Sequence, residues 1–379
     1  MDILIREADG IRRAGALVIG RGVPLGTTAG GLPELLASPP FAEAQLTPSG
    51  GDDTGAIQAA LASSQRVRLG PGTFRMSGII QVGTGQSIVG CGPERTTVQV
   101  TTATGPAFFH LSGSGAAIEE LTLRGSLSVT FDTGIYTTSA TNVRLRGLHL
   151  RDLGTGIWLT AVNRLEISRV SAERNLTAIS VSGSQQVAVE DVHIDGNFGS
   201  GIILDSIKGL RCVGVTLLQC QGNSLTASGS GLVLQAIHLI QCEDGLTILN
   251  GRGVEISGVH ATEGTSFSAH VALVNTTGAL VSGCSVLQGR NTTLSIDNCT
   301  AVTVSGFHSD MTGTSAAAVP HVVVGGGSTQ VMISGIHVVN PAAPPQYEVD
   351  VSAAGGRVLF AQHDFDPARI NSGGNFAET

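Results

Sequence analysis

The stretches VRLRGLHL (143–150), LEISRVSA (165–172) and VAVEDVHI (187–194) share one alternation of apolar and polar residues. Each begins apolar, polar, apolar, polar, and each closes apolar, polar, apolar after one intervening residue. Such alternation predicts a β-strand with one buried side. Most copies begin 22 to 25 residues apart, and the last copies begin 27 and 29 residues apart. The further copies begin at Leu210, Leu232, Val254, Ala279, Val302, Val331 and Val358.

A further apolar strand follows each copy about eight residues later, as at Ile157 and Leu159 and again at Ile179 and Val181. The residue between the first two strands is often glycine, which fits a bend. Three short strands per repeat predict stacked coils, and the period is too short for the blades of a β-propeller. We therefore predict an all-β fold, a single-stranded right-handed parallel β-helix of about 10–12 coils with ~22 residues per coil.

The composition agrees with stacked coils and excludes several functions. Of the 379 residues 52 are glycine, 13% are charged and 41% are hydrophobic. Such a chain covers its surface with Ser, Thr, Asn, Gln and Gly, which suit outward sheet faces and tight corners. The net charge of −8 and the lack of any Lys/Arg cluster argue against nucleic acid as a partner. No uncharged apolar run is long enough to span a bilayer, so we expect no membrane insertion.

The segment before the repeats contains a helix signal. In GGDDTGAIQAAL (50–61), Asp52 and Asp53 can N-cap a short helix over residues 54–62. The helix has apolar residues on one face, so it can cover the open end of the first coil. An uncovered end would be an aggregation-prone sheet edge.

The sequence after this helix carries a family resemblance. VRLGPGTFRMSG (67–78) and QSIVGCG (86–92) follow the helix signal. Together, residues 50–92 resemble the entry segment of the pectate-lyase superfamily of β-helix proteins. That superfamily includes polysaccharide lyases, glycoside hydrolases, epimerases and the tailspikes of phages and phage-like particles. The resemblance therefore implies the fold and a glycan-related role, but no particular reaction.

The repeat pattern divides the chain into three parts. Residues 1–45 lack the pattern and contain a Pro-rich stretch, so they are either an attachment segment or an extra N-terminal cap. Residues 46–364 form the predicted parallel β-helix. Residues 365–379 are predicted to be a C-terminal tail.

Six of the ten histidines occupy position 7 of the repeats, between two inward apolar residues. We therefore expect an outward column on one sheet face. It is either a glycan-contacting strip, for which four histidines are candidates, or a ladder that packs against a partner subunit, which we favour. We expect no metal and no cofactor, because no carboxylate or cysteine shares the column. The four candidates are His149, His193, His238 and His260, and the column also includes His308 and His337.

Position 11 holds Asn175, Asn197, Cys220 and Cys242 in consecutive repeats. Stacked asparagines can satisfy one another and the turn backbone, because the amide both donates and accepts. Cys220 and Cys242 either form a disulfide or continue the ladder as thiols, and we favour the thiols.

Cleavage of a polysaccharide needs paired carboxylates, or a carboxylate beside a basic residue. Asp152, Glu173 and Asp195 lie near one corner in three successive repeats, with Arg151 and Arg174 beside them as candidate glycan-binding residues. These three acids are the catalytic candidates, but we favour a solvated row of turn residues. The superfamily's hydrolase, lyase and epimerase motifs are not intact here. For example, the Asp-Pro of the epimerase motif is followed by alanine instead of histidine.

Aromatic residues make up only 4% of the chain, although sugar-binding grooves often present rings to pyranose faces. Trp158 lies between inward Ile157 and Leu159, so it should point outward. It is either a sugar platform or a contact between subunits.

Two functions fit these features. The first is a polysaccharide-recognising spike or fibre component of a phage or phage-like particle, for example a gene transfer agent. It would lie on the particle surface, form a homotrimer, bind cell-surface glycan and contact other particle proteins through residues 1–45. The alternative is a secreted polysaccharide lyase or glycoside hydrolase. The non-repetitive N-terminal segment, the Ser/Thr-rich outer faces and the lack of catalytic pairs favour the first, and leave enzymatic activity uncertain.

Overall fold

The computed structural model describes residues 3–7, 10–14, 43–101, 107–125, 133–263, 269–288, 291–311, 319–339, 348–363, 367–372 and 376–378. The chain divides into two compact units, residues 1–40 and 41–379. In the first unit, strands β1 (Ile3–Glu7) and β2 (Gly10–Ala14) form an antiparallel pair. No helix in the described part of the chain is long and apolar enough to cross a membrane.

The second unit contains helix α1 (Thr54–Ser63), a 3₁₀ turn (Pro367–Arg369) and a long series of parallel strands. The strands are β3 (Glu43–Leu46), β4 (Arg66–Leu69), β5 (Gly72–Met76), β6 (Ile80–Val82), β7 (Ser87–Val89), β8 (Thr96–Val100), β9 (Ala107–Leu111), β10 (Ala117–Arg124), β11 (Thr133–Thr137), β12 (Ala140–Arg151), β13 (Thr155–Thr160), β14 (Val162–Glu173), β15 (Thr177–Ser182), β16 (Gln185–Asp195), β17 (Ser200–Leu218), β18 (Leu225–Ile240), β19 (Leu246–Thr262), β20 (Val271–Val274), β21 (Thr277–Ser282), β22 (Ser285–Leu287), β23 (Leu294–Asp297), β24 (Thr300–Asp310), β25 (Val322–Gly325), β26 (Thr329–Val339), β27 (Val349–Asp350), β28 (Val358–His363), β29 (Ile370–Asn371) and β30 (Phe376–Glu378).

Each coil contributes one strand segment to each of three parallel ladders. We call these the first face (residues aligned with 143–146), the second face (aligned with 148–151) and the third face (aligned with 155–160). Strand β12 pairs with β14 and β14 with β16 on the first and second faces. Strand β13 pairs with β15 on the third face. The predicted parallel β-helix is therefore confirmed, with the repeat register that the sequence pattern indicates.

The interior is one apolar column built from the alternating residues of all three faces. In one coil, Leu145, Leu150, Ile157 and Leu159 are all fully buried. Burial of such side chains contributes roughly 1.5–3 kcal/mol each before the cost of ordering the chain. Because each coil buries its residues against the next coil, neighbouring coils stabilise one another.

The bend between the first and second faces requires a left-handed backbone. Gly147 has a φ of +61°, and a Cβ there would lie 2.5 Å from a carboxylate oxygen of Glu120. The same bend is made by Arg169 and Asp191, with φ of +52° and +53°. Left-handed non-glycine residues cost on the order of 1 kcal/mol each, so the parallel ladders on both sides must hold the bend.

Helix α1 covers the N-terminal end of the coils, as predicted, and it buries Ile57 and Leu61. The predicted capping role of Asp53 is wrong. Its buried carboxylate accepts hydrogen bonds from the Ser49 and Arg75 backbone N–H groups and makes no side-chain cap. These two partly buried hydrogen bonds tie the entry segment and β5 to the start of α1, so the carboxylate is not available to cap the helix.

Asp52, by contrast, accepts a hydrogen bond from the backbone N–H of Thr54, at 3.0 Å. Hydrogen bonds from the Ser77 and Thr54 side chains hold the pKa of Asp52 well below its usual range. Asp52 is therefore the residue whose carboxylate accepts a hydrogen bond from the free backbone N–H at the start of α1.

The coil stack continues beyond the repeats that the sequence pattern identifies. Within residues 365–379, the segment predicted as a tail, β29 pairs with β27 and β30 pairs with β28. These pairs extend the third-face and first-face ladders.

A buried polar ladder lies where the second face turns into the third. Asn175 and Asn197 are both fully buried. The Asn175 side-chain oxygen accepts from the Leu153 backbone N–H at 3.0 Å, and its amide donates to the Leu150 carbonyl at 3.1 Å. The Asn197 side chain repeats the first contact with the Asn175 backbone N–H, also at 3.0 Å. The ladder therefore satisfies turn groups that have no strand partner.

Cysteines continue this ladder in the next coils. All six cysteines lie in the described part of the chain and are free thiols. Cys242 donates to the Leu217 carbonyl, with 3.4 Å between sulfur and oxygen. A hydrogen bond with Cys242, together with burial, raises the pKa of the Cys220 thiol. Cys220 and Cys242 thus adopt the thiol ladder rather than the disulfide.

We predict that Asn175→Ala lowers the free energy of unfolding by about 2–4 kcal/mol, because it removes the side-chain partner of the Leu153 N–H and of the Leu150 carbonyl in the preceding coil. Urea denaturation followed by circular dichroism measures the change. The matched control is Asn163→Ala, an exposed position at the start of β14, for which we expect a change within about 0.5 kcal/mol. Equal effects at both positions would contradict a role of the ladder in stability.

Candidate functional site

The histidine column lies on the second face, and parallel pairing brings its members into register. His149 pairs with Ser171, Ser171 with His193, and His238 with His260. The His238 and His260 rings have centroids 5.4 Å apart. His308 and His337 stack at 4.9 Å with an angle of 16° between their planes. The column thus presents imidazole rings outward, and its role in glycan contact stays a prediction.

The chemistry of this column is that of a hydrogen-bonding surface. His260 and Ser285 of the next coil form a hydrogen bond of 2.6 Å between Nδ1 and Oγ. Across the described ranges, no three His, Cys, Asp or Glu side chains come together in a way that could hold a metal ion.

The predicted acidic corner is a network of ion pairs centred on Asp152. Arg174 donates from Nε and Nη2 to the two Asp152 oxygens at 2.8 and 2.9 Å. Arg151 Nε lies 3.4 Å from the same carboxylate, and Arg124 Nε lies 3.7 Å away. The sequence pattern did not identify Arg124, which precedes the aligned repeats. Because guanidinium groups occupy both oxygens of a 7%-exposed residue, Asp152 is poorly placed to act on a substrate.

Glu173 joins the same network in the next coil. Its Oε1 lies 2.7 Å from Arg151 Nε and 3.8 Å from His149 Nε2. Asp195 pairs in register with Glu173 one coil further on and is exposed. Asp195 makes no ion pair with any residue of the described ranges. Of the three catalytic candidates, it is the one whose carboxylate stays available to a ligand.

His149 borders this network and is partly buried. Burial lowers the pKa of its imidazole below the ordinary value near 6.5, and the neighbouring Glu173 carboxylate opposes that effect. Arg151 adds to the lowering and Asp152 to the raising. His149 therefore stays neutral at pH 7 and acts there as a hydrogen-bonding group, not as a cation.

An aromatic ladder lies on the third face. His110, Tyr136 and Trp158 occupy equivalent positions of β9, β11 and β13. The His110 and Tyr136 rings have centroids 5.4 Å apart, and Tyr136 meets Trp158 edge-on at 5.6 Å. Trp158 is 46% exposed, so it points outward as predicted. The three rings form a continuous outward strip across three coils.

Sequence reasoning found Trp158 but not the two other rings of the ladder. The signal was present, since GIYT (134–137) and GIWL (156–159) share the glycine, the isoleucine and an aromatic residue at the third position. The repeat alignment began at Val143, because the segments between the second and third faces are longer in the preceding coils. An alignment of third-face strands alone would have placed Tyr136 beside Trp158.

We predict that acid destabilises the fold through His149. Its folded pKa is lowered, so its contribution to stability is complete above about pH 6.5 and is lost as the pH falls below that value. His149→Gln should reduce the loss of stability between pH 7 and pH 5 by less than about 1 kcal/mol, because the side chain is partly solvated. Urea denaturation at both pH values measures this.

Exposed His193 of the same column provides the matched control, His193→Gln. An NMR titration of the His149 ring gives an independent readout. A midpoint at or above 6.5 would contradict the effect of burial.

Comparisons with known proteins agree with this architecture. A family described as "Right handed beta helix region" matches residues 107–242, about a third of the chain. No curated protein matches the chain in sequence.

Solved structures match over most of the chain at low identity. Endo-xylogalacturonan hydrolase from Aspergillus tubingensis is 14% identical, with a TM-score of 0.53, over 85% of this chain and 100% of that one. The Dettilon tailspike protein is 11% identical, with a TM-score of 0.54, over 88% of this chain and 68% of that one. The catalytic domain of a GH87 α-1,3-glucanase in complex with nigerose is 10% identical, with a TM-score of 0.55, over 89% and 68%. The chain is therefore similar in fold to these proteins, and its fold is the right-handed parallel β-helix.

Proposed function

We propose that this chain is a polysaccharide-recognising spike or fibre component of a phage or phage-like particle, such as a gene transfer agent, and that it binds cell-surface glycan. The observation that carries the proposal is the aromatic ladder of His110, Tyr136 and Trp158. A row of outward rings on a rigid sheet is what stacking against successive sugar rings requires.

The geometry of the ladder suits an extended glycan. Neighbouring coils are about 4.8 Å apart, so the ladder offers one ring per coil. This spacing is close to the length of one pyranose unit in an extended chain. Because strands and not loops hold the rings, binding costs little conformational entropy. The three neighbouring rings make a contiguous outward aromatic patch, and such a patch suits a binding partner.

The charged corner supports binding rather than cleavage. Arg174, Arg151 and Arg124 surround Asp152, and Arg151 also contacts Glu173. The guanidinium groups of Arg151 and Arg174 keep outward surface, 36% and 43% of each side chain, and can donate to glycan hydroxyls or carboxylates. His193, His238 and His260 offer further donors on the second face.

The assembly is part of the proposal. One structural neighbour is a tailspike protein, and the present chain would act as the same kind of surface component. We propose a homotrimer, with residues 1–45 contacting other particle proteins and the β-helix exposed outside the cell. Neither nucleic acid nor membrane insertion is part of this function.

One observation favours the alternative, a secreted polysaccharide lyase or glycoside hydrolase. Glu173 and Asp195 lie in register in adjacent coils, about 4.8 Å apart along the stack. Carboxyl groups at about this separation serve retaining glycoside hydrolysis. The Arg151 contact with Glu173 argues against hydrolysis, because this ion pair occupies one of the two carboxylates that the reaction needs.

We predict that Tyr136→Ala and Trp158→Ala each weaken binding of the matching capsular polysaccharide or lipopolysaccharide O-chain by about tenfold. Trp158 is the single tryptophan of the chain, so its fluorescence reports directly on a sugar that stacks there. Titration with a panel of these glycans should change its emission in the wild type and in Tyr136→Ala at higher concentrations, and calorimetry measures the variants that lack Trp158. The matched control is Phe198→Ala, an exposed ring outside the ladder, which should leave affinity unchanged.

Two outcomes would count against this function. Glycan affinity that survives loss of both ladder rings would show that the ladder is not the binding surface. The wild type could instead release new reducing or unsaturated ends from a glycan. If Asp195→Asn abolishes that release, the result would favour the enzyme.

We predict that the protein is a trimer in solution. Light scattering coupled to size exclusion should give about three times the chain mass of 38.6 kDa. A monomer at micromolar concentration would contradict the trimeric part of the proposal and leave the ladder unaffected.

A further inference from the structure

A small cavity lies beside Cys242, between its coil and the next coil of the stack. Cys242 and Asp244 line the cavity from one coil, and Thr262 and His270 line it from the next. Its volume is about 10 Å³, which is room for a molecule about the size of water. The cavity therefore brings a thiol and an imidazole to one small space.

His270 occupies an interior position that small residues hold in the preceding coils. It comes directly before β20, and the equivalent residues of the four coils before it are Ala178, Gly201, Ser224 and Gly245. The residue is only 2% exposed. Gly245 allows the two coils to approach closely, since a Cβ there would lie 2.0 Å from the His270 carbonyl oxygen. The sequence thus places an imidazole where the preceding coils hold only small side chains.

One nitrogen of this buried imidazole has no partner. Nδ1 of His270 lies 3.4 Å from the Thr292 carbonyl oxygen, which can only accept, so Nδ1 carries the proton of that hydrogen bond. Nε2 has no hydrogen-bond partner among the described residues. Burial lowers the pKa of His270, so the ring is neutral at pH 7 and Nε2 keeps a free lone pair. His270 therefore supplies a free base to the cavity that it lines.

Cys242 is the more acidic of two paired thiols. Cys220 and Cys242 occupy equivalent positions of adjacent coils, two residues after the paired Leu218 and Ile240. A hydrogen bond with Cys220 lowers the pKa of Cys242, burial opposes this effect, and a hydrogen bond with Ser224 adds to it. The hydrogen bond between the two thiols also raises the pKa of Cys220. The first thiolate of the pair therefore forms at Cys242, the thiol that lines the cavity.

The positions of the two cysteines also suit a disulfide. Equivalent residues of adjacent coils lie about 4.8 Å apart along the stack, within the Cα separation of about 4.4–6.8 Å that a disulfide needs. Cys220 is fully buried and Cys242 is 4% exposed, so both side chains lie inside the stack. The structure holds both as free thiols. The backbone of the two coils can therefore stay in place when the pair is oxidised.

We propose that Cys220, Cys242 and His270 form a dithiol site that reacts with hydrogen peroxide. Hydrogen peroxide is little larger than water, so it suits the cavity, whereas a bulky oxidant such as oxidised glutathione does not. The site lies in the interior of the stack, and it is independent of glycan binding at the outward rings.

The reaction has two steps. In the first, His270 Nε2 takes the Cys242 proton, and the thiolate sulfur attacks one peroxide oxygen. The O–O bond breaks, and the leaving hydroxide takes the proton from His270 to become water, so Cys242 becomes a sulfenic acid. In the second, the Cys220 sulfur attacks the sulfenic sulfur, the S–O bond breaks, and the hydroxyl group leaves as water with the Cys220 proton. Two thiols and one peroxide thus give one disulfide and two water molecules.

The test exposes the reduced full chain to hydrogen peroxide, blocks the remaining thiols and locates the disulfide by peptide mass spectrometry. The wild type should lose two of its six thiols, and the map should link Cys220 to Cys242. Cys220→Ser should stop at a sulfenic acid on Cys242, which dimedone traps. His270→Gln should slow disulfide formation by about a hundredfold, because no base takes the thiol proton.

The matched control is Cys212→Ser, which removes a fully buried thiol that does not line the cavity. Burial raises the pKa of Cys212 to about 12, so this thiol should take no part in the reaction. The control should form the disulfide at the wild-type rate. Circular dichroism checks that each variant keeps the fold.

A link between Cys220 and Cys242 that forms first in the wild type and in the control, and slowly in His270→Gln, supports the site. First oxidation at Cys91, the most exposed of the six thiols, would overturn it, because reactivity would then follow exposure alone. Equal rates in His270→Gln and the wild type would also overturn it, as would a link that forms equally fast in the urea-unfolded chain. The wild-type map and its comparison with the unfolded chain decide the matter even where a variant fails to fold.

Discussion

The parallel hydrogen-bond register between successive coils is the constraint on which the rest of the structure depends. Each strand segment pairs with the segment one coil away, so equivalent residues stand in columns about 4.8 Å apart. A left-handed bend at residues such as Arg169 and Asp191 persists because the ladders on both sides enforce it. The same register turns single residues into strips. An outward ring at Tyr136 becomes part of a row because the next coil places Trp158 beside it.

The columns of equivalent residues could be predicted from the sequence wherever the repeat period is regular. From residue 143 onward, alternation and a repeat of ~22 residues gave the coils, the inward core and the histidine column, because a parallel register carries sequence spacing directly into space. The Asn175–Asn197 ladder followed from the same spacing. Helix α1 was predicted from its acidic start and apolar face. These features are local or periodic, so no knowledge of distant contacts was needed.

The remaining features depend on contacts that a period does not encode. Asp53 bonds the backbone of Ser49 and Arg75 because the entry loop folds back on the first coil. Arg124 reaches Asp152 from a coil that precedes the aligned repeats. The irregularity at Gly229 displaces the register between β18 and β19 by one residue, which alternation alone does not predict. The sequence therefore indicated the histidines, the acids and Trp158 as candidates, whereas Arg124, His110 and Tyr136 came only from the structure.

The buried Asn and thiol ladder has a mechanical consequence. Each of its bonds joins one coil to the next, and none spans more than one boundary, so a pulling force applied to the end of the stack has to break only the contacts of the outermost boundary first. Coils would detach one at a time from the end, and each would release about 75 Å of extended chain. A solenoid of this kind unfolds sequentially under force, and the loss of a terminal coil leaves the interior coils folded.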